Sequence, residues 1–159
     1  MNKKGFTLIE VLLVILIIGI LTSVALPQYQ KAVVKAKTFR LLPLLRAIDS
    51  AEQVYFLANG NYTDKFADLD ITLPQGNSSS TATHLYYEDS ACFIRFAAAD
   101  NPLTYSAYCH SSDSMAPRIE KYFSRPTFLC WYDKNNFSQA VCAGIAGSKQ
   151  NTYYSYYEF

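Results

Sequence analysis

The chain has 159 residues, a formal net charge of +1 and four cysteines. This length is suited to one domain with a single hydrophobic core. The near-balanced charge excludes a nucleic-acid-binding domain that works through massed Lys and Arg, because the longest basic cluster is Lys3-Lys4. No pair of cysteines has the C-x-x-C spacing of a zinc or redox site, which favours two disulfides formed in an oxidising compartment.

The N-terminal segment combines two lysines with a long apolar run from Phe6 to Leu26. A secretory signal peptide would have a shorter hydrophobic core, of about 7 to 15 residues, followed by a small-x-small cleavage site. A helix of about 21 residues covers roughly 31 Å, about the hydrocarbon thickness of a bilayer. We therefore predict a transmembrane helix over 6–26, with Lys3-Lys4 cytoplasmic by the positive-inside rule and the remaining chain outside the cytoplasm.

Glu10 is the one acidic side chain in that run. A carboxylate inside hydrocarbon costs about 2.5 to 3.5 kcal/mol on insertion scales unless it finds a partner. One interpretation is that Glu10 reaches the membrane edge and is tolerated there. The other is that it has a function, which requires a partner of opposite charge.

Three segments of the N-terminal part resemble a known family. They are Gly5-Phe6-Thr7-Leu8-Ile9-Glu10 at the start of the apolar helix, Ala25-Leu26-Pro27-Gln28-Tyr29 at its end, and Tyr55-Phe56-Leu57-Ala58-Asn59-Gly60-Asn61-Tyr62. Together they resemble the class IVa type IV prepilins, and the resemblance extends to about residue 62.

This resemblance implies how the N-terminus is processed and used. A prepilin peptidase would cleave between Gly5 and Phe6, so that 1–5 is a leader, and would methylate the new Phe6 amine. Glu10 would pair with the Phe6 amine of a neighbouring subunit, which would give the carboxylate its partner and set the register along a filament. The family also implies that the segment from Gly19 to Pro27 loses helicity on assembly, and both residues are poor helix formers.

The resemblance likewise implies a location and partners. The precursor would be a single-pass protein of the bacterial inner membrane with its head outside the cytoplasm, and the assembled form would be an extracellular pilus used in motility, adhesion or DNA uptake. Its partners would be further copies of itself in a helical filament, other pilins, the prepilin peptidase and an inner-membrane assembly platform. The resemblance implies no enzymatic activity, no cofactor, no metal and no specific nucleic acid.

A helical pattern continues beyond the membrane segment over 27–59. Its apolar stripe, which we expect to pack on the C-terminal domain, consists of Tyr29, Val33, Ala36, Leu44, Ala47, Ala51, Val54, Tyr55 and Ala58. Leu42, Leu45 and Phe56 fall on the opposite, polar side. There they are either exposed apolar residues or part of a contact between subunits.

Two prolines lie within this predicted helix, and a glycine follows its end. Pro27 and Pro43 each remove an N–H donor and crowd the carbonyl four residues earlier, so we expect a bend at both. The helix should end near Asn59-Gly60, because glycine suits the left-handed position that follows a helix.

The head, residues 60–159, reads as a connection followed by strands from His84 onward. One hairpin can be predicted with its register by centring a turn on Asp100-Asn101. This register sets Ile94 against Ala107, Phe96 against Tyr105, Ala98 against Leu103 and Cys92 against Cys109.

The hairpin register also predicts the disulfides. Opposed strand residues lie about 4.5 to 5.5 Å apart at Cα, within disulfide reach, so we expect Cys92 to pair with Cys109. Cys130 with Cys142 follows by elimination, and this bond would tie an apolar strand to a short helix starting near Asn136. The predicted fold is α+β, a long bent helix packed on an antiparallel sheet of about four strands.

No catalytic constellation is present in the sequence. His84 and His110 lack the H-x-x-x-H spacing of a metal site, and the oxygen-rich stretch from Asp133 to Asn136 lacks the glycine and final Glu of a calcium loop. A structural subunit is the favoured function. Two alternatives stay open: a pseudopilin of a short periplasmic secretion fibre, and a binding module or enzyme for which the first helix is only a membrane tether.

Overall fold

The computed structural model describes residues 5–72, 83–87, 89–95, 105–113, 116–133, 136–147, 150–151 and 155–159. The chain divides into two compact units, Met1–Val33 and Val34–Phe159. The first unit is helical, and the second contains further helical turns, one antiparallel sheet and a second helix. The predicted α+β class, with a long N-terminal helix and an antiparallel sheet, is confirmed.

Helix α1 runs from Leu8 to Asn59. It ends where predicted: Gly60 takes a positive φ of 76°, and its N–H donates to the carbonyl of Phe56 at 2.8 Å. Pro27 and Pro43 both lie inside the helix. The bends expected at the two prolines stay predictions.

The part of α1 in the second unit buries one face with regular helical spacing. Its buried side chains are Val34, Thr38, Leu41, Leu42, Leu45, Ile48 and Glu52. Two of these are polar, and both have partners: Thr38 donates its hydroxyl to the Val34 carbonyl at 2.9 Å, and Glu52 accepts a backbone N–H from Thr63 at 3.2 Å. The core-facing stripe of α1 is therefore only partly apolar.

The stripe that the sequence pattern assigned to the core was only partly right: Leu44, Ala51 and Tyr55 pack against the core cluster, but others of its residues are exposed. Tyr29 is 67% exposed and Val54 is 65% exposed, whereas Leu42 and Leu45, assigned to the polar side, lie in the core. An apolar periodicity search passes over a face that includes a threonine and a glutamate, and it therefore selected a neighbouring face. Much of the predicted stripe instead faces away from the core.

Within the described residues the sheet has seven strands in the order β1-β2-β3-β4-β5-β7-β6, and every neighbouring pair is antiparallel. The strands are β1 His84–Tyr87, β2 Ser90–Arg95, β3 Ser106–Ser111, β4 Arg118–Tyr122, β5 Phe128–Trp131, β6 Gln150–Asn151 and β7 Tyr156–Glu158. Helix α2, Asn136–Ala146, lies between β5 and β6 in the chain and starts where predicted. Two of the strands beyond the expected number of about four are β6 and β7, which have only 2 and 3 residues and are too short for alternation to reveal them.

The predicted hairpin is formed by β2 and β3. Its register sets Ile94 against Ala107 and Cys92 against Cys109, as expected. The turn at Asp100-Asn101 and the pairs that involve 96, 98 and 103 lie outside the described residues. Both disulfides are present: Cys92 is bonded to Cys109 with 4.1 Å between Cα atoms, and Cys130 to Cys142 with 5.6 Å.

The sheet face opposite the core carries a row of stacked side chains. Phe93 stacks on Tyr108 with 4.9 Å between ring centroids, and the Arg118 guanidinium lies 4.9 Å from the Tyr108 ring. Arg118 also lies 5.4 Å from the ring of Trp131, which packs on Tyr156 at 4.9 Å. Because consecutive members come from adjacent strands, the row joins β2, β3, β4, β5 and β7 through cross-strand contacts.

Candidate functional site in the N-terminal segment

Gly5 and Phe6 lie in an exposed, non-helical stretch directly before α1. The Phe6 side chain is 89% exposed, and no heavy atom of the described residues beyond the chain neighbours of Gly5 lies within 4 Å of the point where a Cβ on it would be. Exposed chain without helical hydrogen bonds is the form in which proteases reach a peptide bond. The Gly5–Phe6 bond is therefore accessible.

Glu10 and Thr7 bond to each other at the start of α1. One carboxylate oxygen of Glu10, Oε2, accepts the backbone N–H of Thr7 at 2.8 Å and the Thr7 hydroxyl at 2.7 Å. The Thr7 oxygen Oγ1 in turn accepts the Glu10 backbone N–H at 3.4 Å. This reciprocal arrangement is a capping box, and it holds a negative charge at the positive end of the helix dipole.

Glu10 was predicted from the sequence to be functional, whereas its partner Thr7 was not. The sequence does contain a signal for the role of Thr7. The sequence pattern of a capping box is a threonine followed three residues later by a glutamate, just before an apolar run. In the single chain, Glu10 therefore has hydrogen-bond donors within its own helix. The interaction expected with Phe6 of another subunit would come in addition.

The first unit exposes its apolar side chains. From Leu8 to Leu26 every residue is exposed, and α1 contains a span long and apolar enough to cross a membrane. Contiguous apolar surface of this extent is not left in water, so lipid or other protein must cover it.

The stretch from Gly19 to Pro27 is helical in the structure and has local features that weaken a helix. The hydroxyls of Thr22 and Ser23 bond back to the carbonyls of Ile18 and Ile20, a competition with backbone hydrogen bonding that favours bending. Pro27 donates no N–H to the helix. The loss of helicity expected on assembly stays a prediction.

The head contains no metal cluster within the ranges that the structure describes: no three His, Cys, Asp or Glu side chains lie close enough to hold an ion. His84 and His110 both pack on Phe93, with ring centroids 4.7 and 5.5 Å away. The Asp133 carbonyl accepts the Ser138 hydroxyl at 3.1 Å, a contact at the start of α2. These residues therefore have structural contacts where the sequence offered candidate ligands.

Comparison with known proteins points to one family. Residues 1–26 match the family model described as the prokaryotic N-terminal methylation motif. Over 72 residues, 45% of this chain, it is 38% identical to a type IV major pilin protein PilE1 of Neisseria gonorrhoeae. It is 31% identical over 127 residues, 79% of this chain, to the type IV major pilin protein PilA of Myxococcus xanthus. A fimbrial protein of Pseudomonas aeruginosa is 33% identical over 79 residues.

The matched regions cover part of each relative. They span 44% of the Neisseria protein, 56% of the Myxococcus protein and 51% of the Pseudomonas protein, so the chain spans about half the length of the relatives it matches. No solved structure matches the chain significantly.

Proposed function

We propose that this chain is a structural subunit of a type IV pilus, which its methylation motif and its similarity to type IV major pilins support. In this proposal a prepilin peptidase cleaves the precursor between Gly5 and Phe6 and methylates the Phe6 amine. The mature chain then passes from the inner membrane into a helical filament.

The exposed apolar helix supports assembly as the function. Before assembly, the 6–26 segment would be covered by lipid, since its length matches a bilayer. Once the subunit leaves the membrane, only other protein can cover the same side chains. Packing of this segment against copies of itself supplies that cover. A contact that joins two different patches continues as an open helical filament when its rotation does not close a ring.

The observation that carries the proposal is Glu10 at the head of this helix. Among the described residues, the donors to its carboxylate are the uncharged N–H and O–H groups of Thr7. Inside a filament core its negative charge requires a cation, because a buried ion without one is strongly unfavourable. Cleavage before Phe6 would create a positively charged amine four residues away in sequence, and the amine of a neighbouring copy would meet the need.

Substitution of Glu10 tests whether charge pairing drives assembly. We expect Glu10→Val to lower the number of filaments seen by electron microscopy by on the order of tenfold or more, because the Phe6 amine would lose its partner. Membrane insertion and the fold of the head should be unchanged. Normal filaments from this variant would contradict the proposal and favour a membrane tether.

The matched control separates capping from charge. Glu10→Gln keeps an oxygen that can accept from Thr7 but removes the negative charge, so it should also impair assembly. If Glu10→Gln assembled normally while Glu10→Val did not, the capping box and not the ion pair would be the reason for the requirement.

Processing is tested on the mature protein. Mass spectrometry should find a chain that begins at Phe6 and carries one added methyl group at its amine. A Gly5→Leu variant should accumulate as the uncleaved precursor. A mature N-terminus elsewhere would remove the basis for assigning Phe6 and Glu10 their roles.

Imaging distinguishes the two kinds of filament that the family motif allows. Long fibres on the cell surface that disappear when the gene is deleted would support a pilus. Loss of secretion without loss of surface fibres would support a short periplasmic pseudopilin fibre instead.

A further inference from the structure

Glu52 is a carboxylate buried in the second unit, Val34–Phe159. It lies on the core side of α1, and its side chain is 0% exposed. Its oxygen Oε2 accepts the Thr63 N–H at 3.2 Å, and Oε1 has no hydrogen-bond partner within the part of the chain that the structure describes. Burial of an ionised oxygen without a partner is costly, and the neutral carboxyl reduces that cost.

The charged groups around Glu52 add to this preference. Asp49 precedes it on α1, and Asp64 and Asp68 lie in the chain that follows the helix; all three raise its pKa through their charges. Asp49 itself is paired with Lys121 from β4, with 3.5 Å between Nζ and Oδ2.

Together, desolvation first and then the three carboxylates raise the pKa of Glu52 from 4.5 to about 7, against the opposing hydrogen bond from Thr63. An acidic group with such a pKa changes its charge near neutral pH. Glu52 is thus able to respond to ordinary changes of acidity.

The residue that Glu52 holds belongs to a segment packed against α1. This segment, residues 60–65, starts at Gly60 and includes Tyr62, whose ring stacks on Phe56 with 4.6 Å between centroids. Thr63 also donates its hydroxyl to Asp68 at 2.8 Å. Its continuation to Ile71 forms one wall of a groove of about 450 Å³ along α1. The position of this segment therefore influences the surface that the head presents.

We propose that Glu52 is a proton-dependent clamp: its neutral carboxyl holds Thr63 and the 60–65 segment against α1, and its ionised form releases them. The Thr63 N–H alone would bind the ionised carboxylate more strongly than the neutral one. The loss of hydration in this dry site and the repulsion from three other carboxylates outweigh that gain. Movement of the side chain toward water relieves both penalties and breaks the contact with Thr63. Phe66 and Leu69, which follow the segment and lie in the core cluster, keep the rest of the second unit folded, so the release is local.

The direction of the pH dependence follows from the raised pKa. The docked segment binds the proton more tightly than the released one, so docking is fully stabilised below about pH 4.5, the ordinary value for the group. This stabilisation is lost as the pH rises to about 7. At higher pH the equilibrium between the docked and the released segment no longer changes with pH. Over that window, the equilibrium for release should rise on the order of a hundredfold.

Hydrogen exchange at the Thr63 amide measures the clamp directly. The full-length chain in detergent micelles would be followed by NMR, with exchange corrected for its intrinsic dependence on pH. We expect the protection of Thr63 to fall on the order of a hundredfold between about pH 4.5 and 7, while amides of β2 and β3 keep theirs. Constant protection of Thr63 across this window would overturn the proposal.

Two variants and a control identify the group responsible. Glu52→Gln keeps an acceptor for Thr63 without a titrating proton, so the protection should remain high at every pH. Asp64→Asn removes a neighbouring negative charge and should shift the transition to lower pH. Asp70→Asn, at an exposed carboxylate beyond the segment, should follow the unsubstituted chain. A pH profile unchanged by Glu52→Gln would also overturn the proposal. The measurement requires no filament, so it stands apart from the proposed function.

Discussion

Lys121 shows how one buried charge can join two elements of the head. Its side chain is nearly inaccessible, and its amine donates to the carbonyls of Tyr122 and Arg125 and pairs with Asp49 of α1 at 3.5 Å. It therefore connects the turn after β4 to the helix. A buried lysine is stable only when its charge and its three donors are satisfied, and here both conditions are met.

Removal of this amine should be costly. We expect Lys121→Met to lower the free energy of unfolding by about 3 kcal/mol, because Asp49 would be left partly buried without its cation. Denaturant unfolding followed by the fluorescence of Trp131, the single tryptophan, would measure it. The double variant Asp49→Asn, Lys121→Met leaves no stranded charge and should recover at least about 1 kcal/mol. Equal stability of the single and double variants would contradict this account.

Helix α2 depends on the sheet for its stability. A helix of 11 residues is marginal alone in water, and α2 is tied to β5 by the Cys130–Cys142 bond and buries Val141 in the head. It lies between β5 and β6 in the chain, so its position also determines where the last two strands add to the sheet.

Loss of the Cys130–Cys142 disulfide should therefore destabilise α2 before the rest of the head. We expect the pair Cys130→Ser, Cys142→Ser to cost about 3 kcal/mol of unfolding free energy, the usual cost for a loop of this size in the chain-entropy model. Amide hydrogen exchange should rise throughout 136–146. The matched pair Cys92→Ser, Cys109→Ser should leave exchange in α2 unchanged, because those cysteines join strands that also pair through their backbones. Equal effects of both pairs on α2 would contradict the assignment.

An element can be predicted from the sequence when its local residue pattern indicates where it is buried or paired. The β2–β3 register could be predicted because alternation, a turn and two cysteines all indicate the same pairing. The buried face of α1 could not, because Thr38 and Glu52 enter the core through tertiary contacts that no periodicity contains. Glu10 stood out as a charge in an apolar run. Glu52 lies among other polar residues and becomes visible only when Thr63 and three carboxylates are brought around it.

The two units of the chain differ in how much of their apolar surface is buried. In the first unit residues 5–32 are all exposed, whereas the second unit, Val34–Phe159, has a core built from α1, the sheet and both disulfides. The core cluster draws all of its residues from the second unit. The head therefore has the means to fold without the membrane segment.

A chain that begins at Val34 tests this independence. We expect it to be soluble without detergent, to form both disulfides and to unfold cooperatively, since it retains the core. Circular dichroism, size-exclusion chromatography and disulfide mapping would check these points. A control chain that begins at Leu45 loses Val34, Leu41 and Leu42 from the packed face and should be unfolded or aggregated. Aggregation of the Val34 chain would show that the head needs the first unit.

The two disulfides also limit how far the head can lengthen under tension, a load that a pilus subunit would experience. Their cysteines are separated by 17 and 12 residues in sequence. Fully extended, such loops would release about 60 Å and about 40 Å of chain. The covalent bonds keep both loops closed even when the strands separate. A stretched head would therefore lengthen less, and its cysteine-bearing strands would stay close to their native pairing.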